Sequence, residues 1–201
     1  MIRTIFFDLG QVLIQFDFQR GYRAISGECN LPPETIRAKL RETGLVGPFE
    51  EGRVAPRDFF QAVSEALGLR VSYERFCELW STIFFPETLI PESLIASLHK
   101  RYRLLLLSNT NIIHFEMIQA TYPIMKHFDG SVLSYEVGAM KPAPEIYQEA
   151  IRRSGCAASG IFFTDDIAAN VEGAREQGID AVQFQSVEQL EEEMRSRRID
   201  W

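Results

Sequence analysis

Thr4-Ile5-Phe6-Phe7-Asp8-Leu9-Gly10-Gln11-Val12-Leu13 is the stretch that decides the fold. An apolar run stops on one carboxylate, Asp8, and passes into a glycine-containing turn. Such a run reads as a buried strand with Asp8 at its carboxyl end, the edge at which open α/β sheets bind ligands. An aspartate there often does no more than cap a turn. Three later strand ends or turns argue for more: Ser108-Asn109-Thr110-Asn111, Lys141-Pro142 and Asp165-Asp166. Together the four places supply a carboxylate nucleophile, hydroxyl and amide donors, a cation and an acidic pair suited to a metal.

Outward from this stretch, five segments read as buried strands: residues 4–7, 104–108, 130–134, 160–164 and 181–184. Their continuous apolar character predicts a parallel sheet covered on both faces. Helical patterns separate them at 142–154, 168–177 and 187–198, the first opening on a proline and followed by Gly155. The interval 16–91 breaks the alternation. It holds four helix-like stretches and no convincing strand, and it far exceeds an ordinary connection. Apolar residues fall at helical spacing in 33–43 (Ile36, Leu40), 56–67 (Phe59, Phe60, Val63, Leu67) and 72–84 (Phe76, Leu79, Trp80, Ile83). These aromatics are expected to be core. The expected architecture is an α/β core of residues 1–15 and 92–201, with residues 16–91 as an inserted helical subdomain above the carboxyl ends of the strands.

Composition bounds the function. A length of 201 residues suffices for one core with an insertion. The net charge of −7, with no dense Lys/Arg tract, argues against a nucleic-acid partner. It also means that an anionic ligand must be drawn in by local positive groups. No leader and no long apolar stretch is present, so a cytoplasmic protein without a membrane span is expected. Cys29, Cys77 and Cys156 are scattered, which suits reduced thiols better than a disulfide frame or a zinc site.

The chain resembles the haloacid dehalogenase-like hydrolase superfamily over almost its whole length. The resemblance rests on Phe6-Phe7-Asp8-Leu9-Gly10-Gln11-Val12-Leu13, Leu107-Ser108-Asn109-Thr110-Asn111, Gly138-Ala139-Met140-Lys141-Pro142 and Phe162-Phe163-Thr164-Asp165-Asp166, in that order, with a helical insertion after the first. In detail it is most similar to the sugar-phosphate phosphatase branch with Asp-Leu-Gly in the first motif, α-glucose-1-phosphate phosphatases among them. The resemblance implies a Rossmann-like core of strand order 5-4-1-2-3 with a helical cap. It also implies a small phosphorylated substrate; a monomer or weak homodimer is expected.

The chemistry can be read beside it. A carboxylate attacking phosphorus forms an acyl phosphate and splits one hard hydrolysis into two easier steps. Asp8 is placed for that attack, and the resemblance implies the same role. Two anions must meet, and Mg²⁺ with oxygen ligands offsets their repulsion. Asp166 is the expected second carboxylate ligand, with Asp165 in direct or indirect support, although an Asp pair before a helix also serves as its N-cap. Lys141 is the expected countercharge to Asp8 and the phosphoryl group. Ser108 and Asn109 are expected to donate hydrogen bonds to phosphoryl oxygens. Asn111 is left to cap the next helix, and Asn170 either orients Asp166 or faces solvent. In Phe49-Glu50-Glu51-Gly52-Arg53, which resembles the loop of the cap that faces the site, Glu50 and Arg53 are candidate substrate contacts.

One position departs from the pattern. Most phosphatases of this superfamily carry a second aspartate two residues after the nucleophile, where this chain has Gly10. The resemblance gives that residue a metal-binding carbonyl and an acid/base side chain; glycine keeps the first and loses the second. General acid help amounts to roughly 10²–10⁴ in rate. Its loss suits a good leaving group, and the anomeric oxygen of a sugar 1-phosphate is less basic than an ordinary sugar alkoxide. A catalytically silent binding or regulatory module predicts erosion at several positions, yet only Gly10 departs. A metal-free 2-haloacid dehalogenase would have no use for Asp165-Asp166.

Overall fold

The computed structural model describes residues 1–201. Seven strands follow one another along the chain: β1 (Thr4–Phe7), β2 (Ile14–Phe16), β3 (Phe84–Thr88), β4 (Arg103–Ser108), β5 (Gly130–Leu133), β6 (Ile161–Asp165) and β7 (Asp180–Gln183). Five form one sheet in the order β5-β4-β1-β6-β7, every pairing parallel. Counted among these five alone, the order is 3-2-1-4-5, which is 5-4-1-2-3 viewed from the opposite edge. The Rossmann-like core is therefore as expected, with β1 central.

Alternation of side chains along β1 shows why the strands are apolar throughout. Ile5 and Phe7 enter one core with Leu104, Leu106, Leu98 and Met194. Phe6 enters the other, with Leu105, Phe163, Tyr147 and Val171. All three β1 side chains are completely buried, each stabilising the fold by roughly 1.5–3 kcal/mol. Helices Glu92–His99 and Val187–Ser196 contribute to the first core, and Pro144–Ser154 and Ala168–Glu176 to the second. No helix is long and apolar enough to cross a membrane.

Strand ends shift by a residue or two from the sequence expectation, and one shift bears on the site. Asp165 is the last residue of β6, not the first beyond it, and is fully buried. Ser134 leaves the sheet to open the short helix Ser134–Val137.

Between β2 and β3 lie five helices: Phe18–Cys29, Pro33–Thr43, Val46–Glu50, Pro56–Leu67 and Tyr73–Ser81. They bury an apolar cluster of their own, including Ile36, Leu40, Phe49, Phe59, Val63 and Phe76. Phe49 stacks on Phe59 with ring centroids 4.2 Å apart, and Trp80 meets Phe59 edge-on at 5.0 Å. These aromatics pack as core, although Phe60 and Trp80 stay partly exposed. The absence of a strand within 16–91 is corrected. Phe84–Thr88 pairs antiparallel with Ile14–Phe16, so a two-stranded ribbon flanks the inserted helices where the chain leaves and re-enters the core. Pro86 and a three-residue partner left no period for sequence reading to find.

Candidate active site

Parallel strands place their carboxyl ends along one edge, and the sequence puts polar residues there. Asp8 follows β1 and donates its backbone N–H to the Thr164 carbonyl at 2.9 Å; Ser108 ends β4 and Asp165 ends β6. Lys141 enters from the loop that follows the Ser134–Val137 helix. Its ammonium donates to Asp8 Oδ1 at 2.8 Å, Asp165 Oδ2 at 2.5 Å and the Leu107 carbonyl at 2.8 Å. An ammonium has three protons, so this one is fully used. Asn109 clamps the lysine's main chain from both sides. Its Oδ1 accepts from the Lys141 N–H at 2.7 Å and its Nδ2 donates to the Lys141 carbonyl at 2.9 Å.

The two acidic neighbours differ sharply. Asp165 has both oxygens committed, to Lys141, to the Ile167 N–H at 2.8 Å and to the Asn170 amide at 3.0 and 3.1 Å. Asn170 is buried and holds Asp165, so it neither orients Asp166 nor faces solvent. Asp166 is half-buried, with Gln183 donating to its main-chain carbonyl at 2.8 Å, and its carboxylate makes no ion pair, its hydrogen-bonding neighbour being the Asp8 side chain. Carboxylate oxygens of Asp8, Asp165 and Asp166 lie within 4.8 Å of one another.

Three carboxylates therefore share one lysine. Burial pushes the Asp8 carboxyl up to about 7, with Lys141 opposing and Asp165 adding repulsion. Burial and then Asp165 raise Asp166 as well. Burial also opposes the charge on Lys141, but Asp8 and Asp165 outweigh it and its pKa is raised. One ammonium against three carboxylates leaves the edge short of positive charge, and its free donors are hard oxygens. That donor set fits a divalent cation such as Mg²⁺.

Gly10 faces the Phe16 ring. A Cβ at position 10 would lie 2.6 Å from a ring carbon, so Phe16 fills the space that a side chain there would need. The left-handed conformation of the turn falls on Gln11, at φ 57°, whose amide donates to the Phe16 carbonyl at 2.8 Å.

From the inserted helices, Glu50 reaches a cavity of about 90 Å3 that Gly10, Phe16, Ser108 and Asn109 also line. Phe49 is buried in the inserted-helix core, and Gly52 lies against the Tyr135 carbonyl. At φ 69°, and with a Cβ site overlapping that oxygen, position 52 accepts only glycine without displacement. Glu50 is thus held from both sides. Arg53 is largely exposed and pairs with Glu51, apart from this cavity. Asn111 caps the next helix, accepting from the His114 N–H at 3.1 Å.

Sequence reading brought Asp8, Lys141, Ser108, Asn109, Asp165 and Asp166 to one strand edge, and the structure does bring them together. It missed the tie from Asn170 to Asp165 and the ring behind Gly10. A fixed spacing from the acidic pair would have pointed to Asn170; nothing local pointed to Phe16.

Residues 2–178 match the haloacid dehalogenase-like hydrolase family. The chain belongs to that family. It is 29% identical over 189 residues to D-ribitol-5-phosphate phosphatase of Bacteroides thetaiotaomicron, a match spanning 91% of this chain and 92% of that protein. A HAD family enzyme of the same organism, solved in complex with magnesium and inorganic phosphate, superposes with a TM-score of 0.78 at 27% identity, covering 93% and 96% of the two chains. A HAD-like family hydrolase from Porphyromonas gingivalis superposes with a TM-score of 0.82 at 28% identity over the full length of both.

Proposed function

We propose that this hydrolase is a Mg²⁺-dependent phosphomonoesterase acting on a small phosphorylated sugar or sugar alcohol through an aspartyl phosphate on Asp8. The observation that carries the reading is the single buried lysine joining Asp8 to Asp165, with Asp166 beside them and in no ion pair. The activity of the D-ribitol-5-phosphate phosphatase relative and the magnesium and phosphate bound to the HAD enzyme support it. Asp8, Asp166 and the Gly10 carbonyl would hold the cation. When bound, it supplies the positive charge that the three carboxylates lack.

Asp8 attacks phosphorus as a carboxylate, and the phosphoryl group passes to its oxygen. Lys141 holds that oxygen in place and offsets charge as the two anions meet. Asp165 acts through Lys141, fixing the ammonium between two carboxylates, while Asn170 fixes Asp165. The Ser108 hydroxyl and the remaining N–H of the Asn109 amide would donate to phosphoryl oxygens. Arg53 and Glu51 would meet solvent at the edge of the inserted helices, which act as the cap over the site. A substrate that leaves as a weakly basic oxygen, such as a sugar 1-phosphate, fits best with the bare position at Gly10. A cytoplasmic monomer or weak homodimer completes the reading.

Phosphate release from a panel of sugar phosphates, in Mg²⁺ and in EDTA, tests this directly. Turnover should require the metal and should fall by at least about 10³-fold in Asp8→Asn. Metal-independent turnover, or normal turnover in Asp8→Asn after deamidation is excluded, would sink the reading.

A further inference from the structure

The proposed reaction lacks a proton donor for the leaving oxygen, since Phe16 fills the place where a side chain at position 10 would stand. A donor from elsewhere must reach the phosphoryl site, carry a proton near neutrality and have no other partner. Glu50 meets these requirements. We propose, building on the phosphomonoesterase reading, that Glu50 is the general acid and base of this site, supplied from the inserted helices instead of from the strand that carries Asp8.

The geometry places Glu50 on the wall of the 90 Å3 cavity shared with Gly10, Ser108 and Asn109. The same side chain also lines a larger cavity of about 420 Å3 within the inserted helices, where the rest of a substrate would extend. Glu50, with Phe18, Ile83 and His114, lines both cavities and so stands where they meet, on the side of Ser108 and Asn109. It makes no hydrogen bond and no ion pair in the protein, whereas its neighbour Glu51 pairs with Arg53. The titratable and charged groups around it are Arg37, Arg41, Tyr22 and His114, which line the larger cavity. The pairing of Phe49 with the core of the inserted helices and of Gly52 with the Tyr135 carbonyl fixes the backbone on both sides of it. Burial alone pushes the Glu50 carboxyl up to about 7. A carboxyl so tuned can give and retake a proton at neutral pH.

The proton balance closes over two steps. As the bond between Asp8 Oδ and phosphorus forms, the bond from phosphorus to the sugar oxygen breaks, and that oxygen takes the Glu50 proton. Glu50 is left as a carboxylate. A water then gives its proton to Glu50 as its oxygen bonds to phosphorus; the bond to Asp8 breaks, releasing inorganic phosphate. Both side chains return to their starting forms.

The test compares kcat/KM of the natural protein and Glu50→Gln, with Mg²⁺, across phosphate esters of graded leaving-group basicity. 4-Nitrophenyl phosphate leaves without a proton and should change less than about threefold; ribitol 5-phosphate and glucose 6-phosphate should lose about 10²–10⁴-fold. A sugar 1-phosphate should fall between. The alkaline decline of kcat/KM for the alkyl esters should vanish in the variant. An unchanged circular dichroism spectrum and urea midpoint would show that Glu50→Gln folds, and Glu50→Asp should recover part of the alkyl activity. Equal losses for aryl and alkyl esters, or a surviving alkaline decline, would overturn the role of Glu50 alone. Failure of the natural protein to hydrolyse even the aryl ester would overturn the phosphatase reading, and this inference with it.

Discussion

At the scale of single residues, Asp165 and Asp166 are adjacent but not equivalent. Asp165 is saturated by Lys141, Ile167 and Asn170, whereas Asp166 has a carboxylate to offer. Asp166→Asn should therefore weaken Mg²⁺ binding by more than about 100-fold, and Asn170→Ala, which reaches the cation only through Asp165, by no more than about tenfold. Titration calorimetry decides; similar affinities in the two variants would hand the ligand role to Asp165. Gly10 is a second residue-scale case. Its backbone is not in the left-handed region, so the obstacle to Gly10→Asp is the Phe16 ring. The variant should lose about 1–3 kcal/mol of stability by overpacking, and Phe16→Ala in the same chain should return part of it. Denaturant unfolding of the single and double variants measures this, and a neutral Gly10→Asp would contradict it.

At the scale of elements, one hydrogen-bonded link joins the inserted helices to the core. The His114 ring, on helix Ile112–Thr121, lies 3.0 Å from the Trp80 carbonyl through Nε2 and 3.1 Å from the Asn111 amide through Nδ1. A carbonyl only accepts, so Nε2 carries the proton and Nδ1 accepts from Asn111. Both bonds are made by the neutral ring, and burial holds its pKa down to about 4. The unfolded chain takes up that proton near pH 6.5 and the folded one only near 4. The stability due to this ring is full above pH 6.5 and is lost progressively as pH falls towards 4. His114→Gln should flatten that part of the stability–pH curve, read by urea unfolding between pH 7 and pH 4.5. An unchanged slope would mean that the ring is not held neutral.

At the scale of the molecule, what could be read in advance was what lies close along the chain. Ile5–Phe7 announced a central strand because a buried parallel strand is apolar at every position, and Asp8 and Asp165 inherited their place from the strands they end. The link from Lys141 to Asp8 spans 133 residues; the turn at Lys141-Pro142 suggested a cation for the site, and the resemblance paired it with Asp8. The β2–β3 ribbon stayed hidden because three residues and a proline-broken partner show no period. The ring of Phe16 against Gly10 and the saturation of Asp165 are facts of packing, which no spacing encodes. The larger balance also closes at this scale. A chain of net charge −7 gathers three carboxylates around one ammonium, so anionic substrate and acidic site depend on the same cation.

The ring packed behind Gly10 bears on how this chain can change over generations. Regaining an acid at position 10 by one substitution would set a side chain against Phe16, while shrinking Phe16 first would open a hole beside the site. Each single step is worse than either end point, so the two positions are coupled, and the route back crosses a valley. A descendant of this chain is freer to adjust the acidic loop at Glu50-Glu51 than to place a carboxylate at position 10.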